Sequence, residues 1–187
     1  MIRLFIALTI PEETKKYLAY IMNDCKKQGI RISWVAAENL HLTVRFLGDT
    51  DPELILSLNG MLESVAMRYK AAECSLKMVG GFPTLKSPRV IWVGLSGQTE
   101  RMSALAGSIE TAVRELGLPP GTKPFKAHLT LGRVKDQSLL NAQHLEFIGK
   151  YQVEDRIVTF GELSLIQSTL SSRGSIYGTL HSVRLSN

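Results

Sequence analysis

Two short stretches of the chain carry residue types suited to proton chemistry. The tetrads "HLTV" (41–44) and "HLTL" (128–131) repeat one pattern 87 residues apart (128 − 41). Imidazole titrates near neutrality, so one of the paired residues His41 and His128 can give a proton while the other takes one. The hydroxyls of Thr43 and Thr130 can donate hydrogen bonds to phosphoryl oxygens. A lone His-x-Thr is a weak pattern that any half-buried surface strand can produce. The chain holds only four histidines, so two tetrads that share Leu and a following aliphatic residue exceed chance.

Strand geometry sharpens the pattern. Alternate side chains of a strand share a face. His41 and Thr43 then point one way, and Leu42 and Val44 the other; His128 and Thr130 divide likewise from Leu129 and Leu131. The aliphatic pairs can enter a core, and the His/Thr pairs are offered to a groove. If two such strands face each other, the groove receives two imidazoles and two hydroxyls, and water can be the nucleophile. Metal binding is the rival reading. Zinc wants three or four ligands, and no His, Cys or carboxylate sits at ligand spacing from either tetrad, so no metal and no cofactor is expected.

The elements that must position these residues repeat as well. "RLFIALTI" (3–10) reads as a buried strand ending at Pro11. Pro11, Glu12 and Glu13 suit a helix start, and Leu18, Ile21, Met22 and Cys25 recur at helical spacing up to a stop near Gly29. "NLHLTVRFLG" reads as a strand, and Asp51-Pro52 opens a second helix. "CSLKMVGGF" and "RVIWVGLSG" read as strands, 98–116 as a third helix, and "KAHLTLGRV" as a strand. A shorter helix is expected over 139–145. "RIVTFGELSLIQSTL" and "SIYGTLHSVRL" read as the two arms of a closing hairpin, turned at 171–174. Strand, helix and HLT strand therefore occur twice, with Arg3 and Arg89 86 residues apart (89 − 3), which suggests a duplicated lobe rather than a solenoid.

The whole chain sets bounds. At 187 residues with 44% hydrophobic and 21% charged residues, it has material for one domain with a full interior. A net charge of +5 leans toward anionic partners such as nucleic acid or nucleotides. Two cysteines, Cys25 and Cys74, make a disulfide framework unexpected and a reducing cytoplasm the simpler location. The apolar start meets Pro11-Glu12-Glu13 too soon for a signal peptide, and no segment is apolar enough to span a bilayer.

Taken together, "MIRLFIAL", "WVAAENLHLTVRFLGD", "PRVIWVGL", "KPFKAHLTLGRV" and "LIQSTLSSRGSIY" make the chain resemble the two-histidine (2H) phosphoesterase superfamily. Within it, the resemblance is to the bacterial and archaeal RNA 2′,3′-cyclic phosphodiesterases, also named 2′-5′ RNA ligases. The likeness spans nearly the whole chain, and paired HxTx motifs in these surroundings are specific. It implies an α+β fold: one bilobal domain over 1–187, two pseudo-symmetric lobes each bringing one HxTx motif, antiparallel sheets lining a central cleft, helices outside. It implies metal-independent hydrolysis of a terminal 2′,3′-cyclic phosphate on RNA, tRNA halves among the candidates, to a 2′-phosphate. His41 matches the proton donor and His128 the proton acceptor. Thr43 and Thr130 would hold the non-bridging phosphate oxygens, and the reverse reaction would join RNA ends through a 2′-5′ bond. No membrane and no obligate protein partner is implied. The tetrads alone do not distinguish acid from base.

Other residues are candidates for RNA contact. Arg45 shares the His41 face by strand parity and would add positive potential to the groove, or be an ordinary strand charge. Arg133 lies on the opposite face from His128 by parity, unless Gly132 marks a bulge; the resemblance suggests a phosphate or RNA backbone contact there, and a solvated surface arginine is the equal alternative. Phe125 can stack on a base and Lys126 can meet a phosphate, with Phe125 as plain core the favoured alternative. Phe46 falls on the opposite face from the first His/Thr pair and is expected in the core. Tyr177 is placed at the cleft border, with Ser168 in the same segment. His144 and His181 lack a threonine partner and read as structural or surface residues. Two further functional readings remain: an RNA-end-binding module with little turnover, and a phosphodiesterase for another small cyclic nucleotide or a 2′-5′ linkage.

Overall fold

A computed structural model describes residues 1–171 and 174–186. The strand β1 (Ile2–Leu8) runs into α1 (Glu12–Lys27), and a two-residue strand β2 (Ser33–Trp34) follows. Next come β3 (Leu42–Thr50), α2 (Ile55–Ala66), β4 (Ala72–Phe82) and β5 (Val90–Gly97). The chain continues through α3 (Thr99–Glu115), β6 (His128–Arg133) and α4 (Ala142–Lys150). It closes with β7 (Ile157–Phe160), β8 (Glu162–Ser171) and β9 (Gly174–Arg184). Short 3-10 turns at Ala37–Asn39, Pro52–Leu54 and Gln137–Leu139 lead into β3, α2 and α4.

The helix signals in the sequence act as read. Glu12 and Glu13 occupy the first turn of α1 and Lys26 and Lys27 the last, each favourable to the helix dipole. Gly29, at φ 80°, ends the helix. Its N–H bonds the Lys26 carbonyl and the next N–H, of Ile30, bonds Cys25, the paired bonds of a Schellman motif. Helix α3 ends the same way, with Gly117 at φ 83° and bonds from Gly117 to Arg114 and Leu118 to Val113. Helix α4 lies later than the 139–145 expected. Asn141 caps it through the His144 N–H, and His144 returns a bond to the Asn141 N–H, a capping box that starts the helix at Ala142.

Two antiparallel sheets result, ordered β3-β1-β8-β9 and β2-β6-β5-β4-β7. Each sheet takes strands from both halves of the chain: β1 and β3 join β8 and β9 in the first, and β2 and β4 join β5, β6 and β7 in the second. After α2, β4 joins the second sheet beside β5; after α4 and β7, β8 returns to the first sheet beside β1. The expected hairpin arm "RIVTFGELSLIQSTL" is thus two strands in different sheets, parted at Gly161. Ile157 to Phe160 pair with β4, whereas Glu162 to Ser171 pair with β9. The expected turn at 171–174 falls partly outside the described residues. The helix-facing sides of both sheets share one hydrophobic core, from Leu4, Ile6 and Leu8 through Leu42 and Leu165 to Leu76, Val93, Leu129 and Phe160. A smaller apolar cluster of Phe5, Ala7 and Ile166, joined by Tyr177, lies apart from it on the other side of the first sheet.

The register of the two HLT strands departs from simple alternation at matching places. Opposite β1, the pairing steps from Ala7–Thr43 to Ile6–Arg45, so Val44 is an extra residue. Opposite β5 it steps from Trp92–Thr130 to Ile91–Gly132, so Leu131 is extra. A β-bulge therefore follows each threonine, and it inverts which residues beyond it share the His/Thr face.

Candidate active site

The tetrads sit at the start of β3 and β6, strands that approach each other across the molecule. Their aliphatic members are buried: Leu42, Leu129 and Leu131 are fully so, and Val44 nearly so. Their His and Thr members are half-buried on the opposite, cleft side.

Both imidazoles are held alike. The Nδ1 of His41 lies 2.6 Å from the Asn39 carbonyl oxygen, and the Nδ1 of His128 lies 2.6 Å from that of Lys126. A carbonyl oxygen can only accept, so each Nδ1 carries the proton, and each neutral ring has its lone pair on Nε2. The Nε2 of His41 takes a 3.0 Å hydrogen bond from the Thr43 hydroxyl. Aromatic rings border both. Phe5 lies 4.9 Å and Tyr177 5.6 Å from His41, centroid to centroid. Phe82 stands edge-on to His128 at 5.0 Å, with Trp92 at 6.5 Å.

Burial pushes the pKa of both histidines below the ordinary value of 6.5, because the cationic ring loses solvation. The backbone carbonyls oppose this by favouring the charged ring. Arg133 then lowers both further; Lys15 and His128 add to the effect on His41, and Lys126 to that on His128. The Arg133 charge thus bears on both rings. The bulge at Leu131 turns Arg133 onto the His/Thr face: it pairs with Val90, two residues from Trp92, which pairs with Thr130. Parity alone had placed Arg133 on the far face; the bulge expected as the exception is present, with Leu131 rather than Gly132 as the extra residue.

The corresponding bulge moves Arg45 out of the groove. Arg45 pairs with the core residue Ile6 and reaches Glu110 of α3 and the carbonyl of Pro119. Its side chain is 13% exposed, so it ties a helix to the sheet instead of lining the cleft. Phe46, expected in the core, pairs with Phe5 on the cleft side, is 57% exposed, and has its ring 5.9 Å from that of Phe5. The two bulges make Phe46 and Arg133 equivalent positions of the two lobes.

The remaining candidates divide. Lys126 is exposed at the rim, its ammonium 5.5 Å over the Phe82 ring. Tyr177 stands in the cleft cluster, edge-on to Phe5 at 5.0 Å. Phe125 packs against the main core, the alternative favoured for it. His144 belongs to the α4 cap, and His181 lies beside Glu63 at 3.3 Å. Sequence reasoning passed over Phe5, Phe82 and Trp92. Their signal was the strand pairing itself: Phe5 and Trp92 lie on the strands beside the HLT strands, on the face that Thr43 and Thr130 share. Among the described residues no group of three or more His, Cys, Asp or Glu gathers as a metal site. No helix among them is long and apolar enough to cross a membrane.

Comparison with known proteins returns the same doubling. A family described as LigT like Phosphoesterase matches residues 8–92 and again residues 93–177. A protein of Archaeoglobus fulgidus named RNA 2′,3′-cyclic phosphodiesterase is 33% identical over 184 residues, covering 95% of this chain and 97% of that one. One of the same name from Methanocaldococcus jannaschii is 34% identical over 189 residues, covering 94% and 96%. Among solved structures, TT0787 of Thermus thermophilus superposes with a TM-score of 0.81 at 25% identity, covering 98% and 97%. Escherichia coli LigT complexed with 3′-AMP also gives 0.81, at 23% identity, covering 100% and 99%, a likeness of fold.

Proposed function

The chain belongs to the LigT-like phosphoesterases of the 2H superfamily, and on that premise we propose that it hydrolyses 2′,3′-cyclic phosphate ends of RNA to 2′-phosphomonoesters. The names of its relatives support the substrate. The observation that carries the mechanism is the shared tautomer: two imidazoles with Nδ1 anchored on backbone carbonyls, so that each Nε2 lone pair lies on the side of its threonine, that of His41 meeting the Thr43 hydroxyl.

In this reading the cyclic phosphate lies between the tetrads. His128 takes a proton from water as its oxygen bonds to phosphorus. The bond to the 3′ oxygen breaks on the opposite side, and His41 protonates that oxygen. Thr43 and Thr130 donate to the non-bridging oxygens, and Arg133 offsets their charge. His41 must enter as the imidazolium, although burial disfavours that form in the free protein. The phosphate anion supplies the opposing charge that raises its pKa on binding. No step calls for a metal ion, and the same displacement of the 3′ oxygen with a 5′ hydroxyl in place of water would join two RNA ends through a 2′-5′ bond. The assignment of acid and base follows the resemblance of each tetrad to its family counterpart.

The test is incubation with an oligoribonucleotide ending in a 2′,3′-cyclic phosphate, with EDTA present, followed by identification of the product phosphate. A 2′-phosphate formed in EDTA is expected. His41→Ala and His128→Ala should each lower the rate by at least about a hundredfold with the thermal midpoint near that of the parent. Substantial turnover in both variants, or none in the parent protein, overturns the reading.

A further inference from the structure

The carbonyl that anchors His41 belongs to a turn with ties of its own. Asn39 ends the 3-10 turn Ala37–Asn39; its N–H bonds the Ala36 carbonyl at 2.9 Å, and the Leu40 N–H bonds that of Ala37 at 3.2 Å. Leu40, next in the chain, is buried in the main core. The Asn39 side chain crosses to β9, where its Nδ2 donates to the Ser175 carbonyl at 3.2 Å, 136 residues away in sequence. A carbonyl can only accept, so this tie needs the amide NH2 of an asparagine. From α1, the Lys15 ammonium donates to the Glu38 carbonyl of the same turn at 3.4 Å.

One strand therefore reaches His41 twice. Ser175 of β9 holds the turn whose carbonyl receives the Nδ1 proton, and Tyr177, two residues on, sets its ring edge-on to the imidazole. The second anchor is built differently. Lys126 gives its carbonyl to His128 and reaches with its ammonium over the Phe82 ring.

We propose that Asn39 is a positioning residue for proton transfer at His41: its amide, fastened to β9, holds the turn so that the Asn39 carbonyl keeps a proton on Nδ1 and leaves Nε2 to the cleft. The proposal deepens the function proposed above and rests on His41 as the acid. The charged and titratable groups around His41 are Arg133 and His128 of β6, Lys15 of α1 and Tyr177 of β9. Arg133, Lys15 and His128 disfavour the imidazolium, and the Asn39 carbonyl favours it. A slackened turn therefore weakens the acid form of His41 and leaves His128 as it was.

Asn39→Ala removes the amide and keeps the backbone carbonyl and all of those charges. Its kcat should fall by about tenfold or more, as when a reacting group is misplaced, with KM near the parent's. The alkaline limb of kcat, which reports the His41 imidazolium in the complex, should move to lower pH. The acidic limb, set by His128, should stay. A general loss of structure would not move one limb alone. Asn39→Gln keeps the donor and should recover part of the rate. Nitrogen-15 NMR of the histidine side chains reads the effect without turnover: His41 should lose its uniform Nδ1–H tautomer in Asn39→Ala, while His128 in the same molecule keeps its own. Unchanged limbs, an acidic limb that moves in place of the alkaline one, or an unaltered His41 tautomer overturns the proposal. A parent protein without turnover overturns the proposed function and leaves the NMR outcome to decide this one, so the two fail separately.

Discussion

The protonation chemistry of His41 and His128 belongs to single residues and has a signed consequence. Burial and the Arg133 charge lower both pKa values below 6.5 in the free protein. A bound phosphate diester is anionic and must raise them. The dependence of kcat/KM on pH reports the free enzyme, and that of kcat the complex. The alkaline limb of kcat should therefore lie at higher pH than that of kcat/KM, and coincident limbs would contradict the electrostatic account. The same shifts bear on stability. An unfolded chain binds protons at these two histidines near pH 6.5, whereas the folded chain binds them only at lower pH, so stability falls as pH drops through that value toward the folded pKa values.

At the scale of elements, the bulges and the glycines of the sheets prepare the cleft. An extra residue after each threonine turns the fifth residue beyond each histidine onto the cleft face, which brings in Phe46 and Arg133 and sends Arg45 to Glu110. On the second sheet, the Trp92 indole lies against Gly80: a Cβ there would sit 2.4 Å from two ring atoms. No side chain larger than hydrogen fits without moving the indole and, with it, the Phe82 ring 4.9 Å away that borders His128. Gly80→Ala should cost about 1–3 kcal/mol and lower the thermal midpoint by at least about 2–4 °C. Gly60→Ala makes the contrast. Gly60 lies inside α2 with nothing within 4 Å of a new Cβ, so that change should stabilise by up to about 1 kcal/mol. Calorimetry of the pair decides it; equal effects would rule out the steric account.

At the scale of the whole molecule, the lobes hold each other's strands. β8 lies between β1 and β9 in the first sheet although it follows the second lobe in sequence, and β4 lies between β5 and β7 in the second although it follows the first. One hydrophobic core runs beneath both sheets. The chain should therefore unfold in one cooperative step. Both tryptophans, Trp34 and Trp92, lie on strands of the second sheet, so their fluorescence follows that lobe, while far-ultraviolet circular dichroism follows the whole chain. The two urea transitions should coincide, and separate midpoints would show that the lobes unfold independently. The strand exchange also sets the two histidines in one cleft, since neither sheet is complete without the other half of the chain.

Much of this was written locally. The doubled HLT tetrad, the helix start at Pro11, the Asp51 cap of the 3-10 turn that leads into α2, and the stops at Gly29 and Gly117 follow from side-chain period and cap chemistry within a few residues, and such signals need no knowledge of the rest of the chain. Arg45, Arg133 and Phe46 were beyond that reach. Strand parity assigned each to a face, and a bulge opposite β1 or β5 reversed the assignment, because facing depends on the register between strands far apart in sequence. Gly161 is the same lesson in topology: nothing in the apolar run "RIVTFGELSLIQSTL" marks a change of sheet, which arises only from where β4 and β9 wait to pair. The residues capable of the chemistry are legible in the one-dimensional pattern; which of them look at one another is settled by long-range pairing.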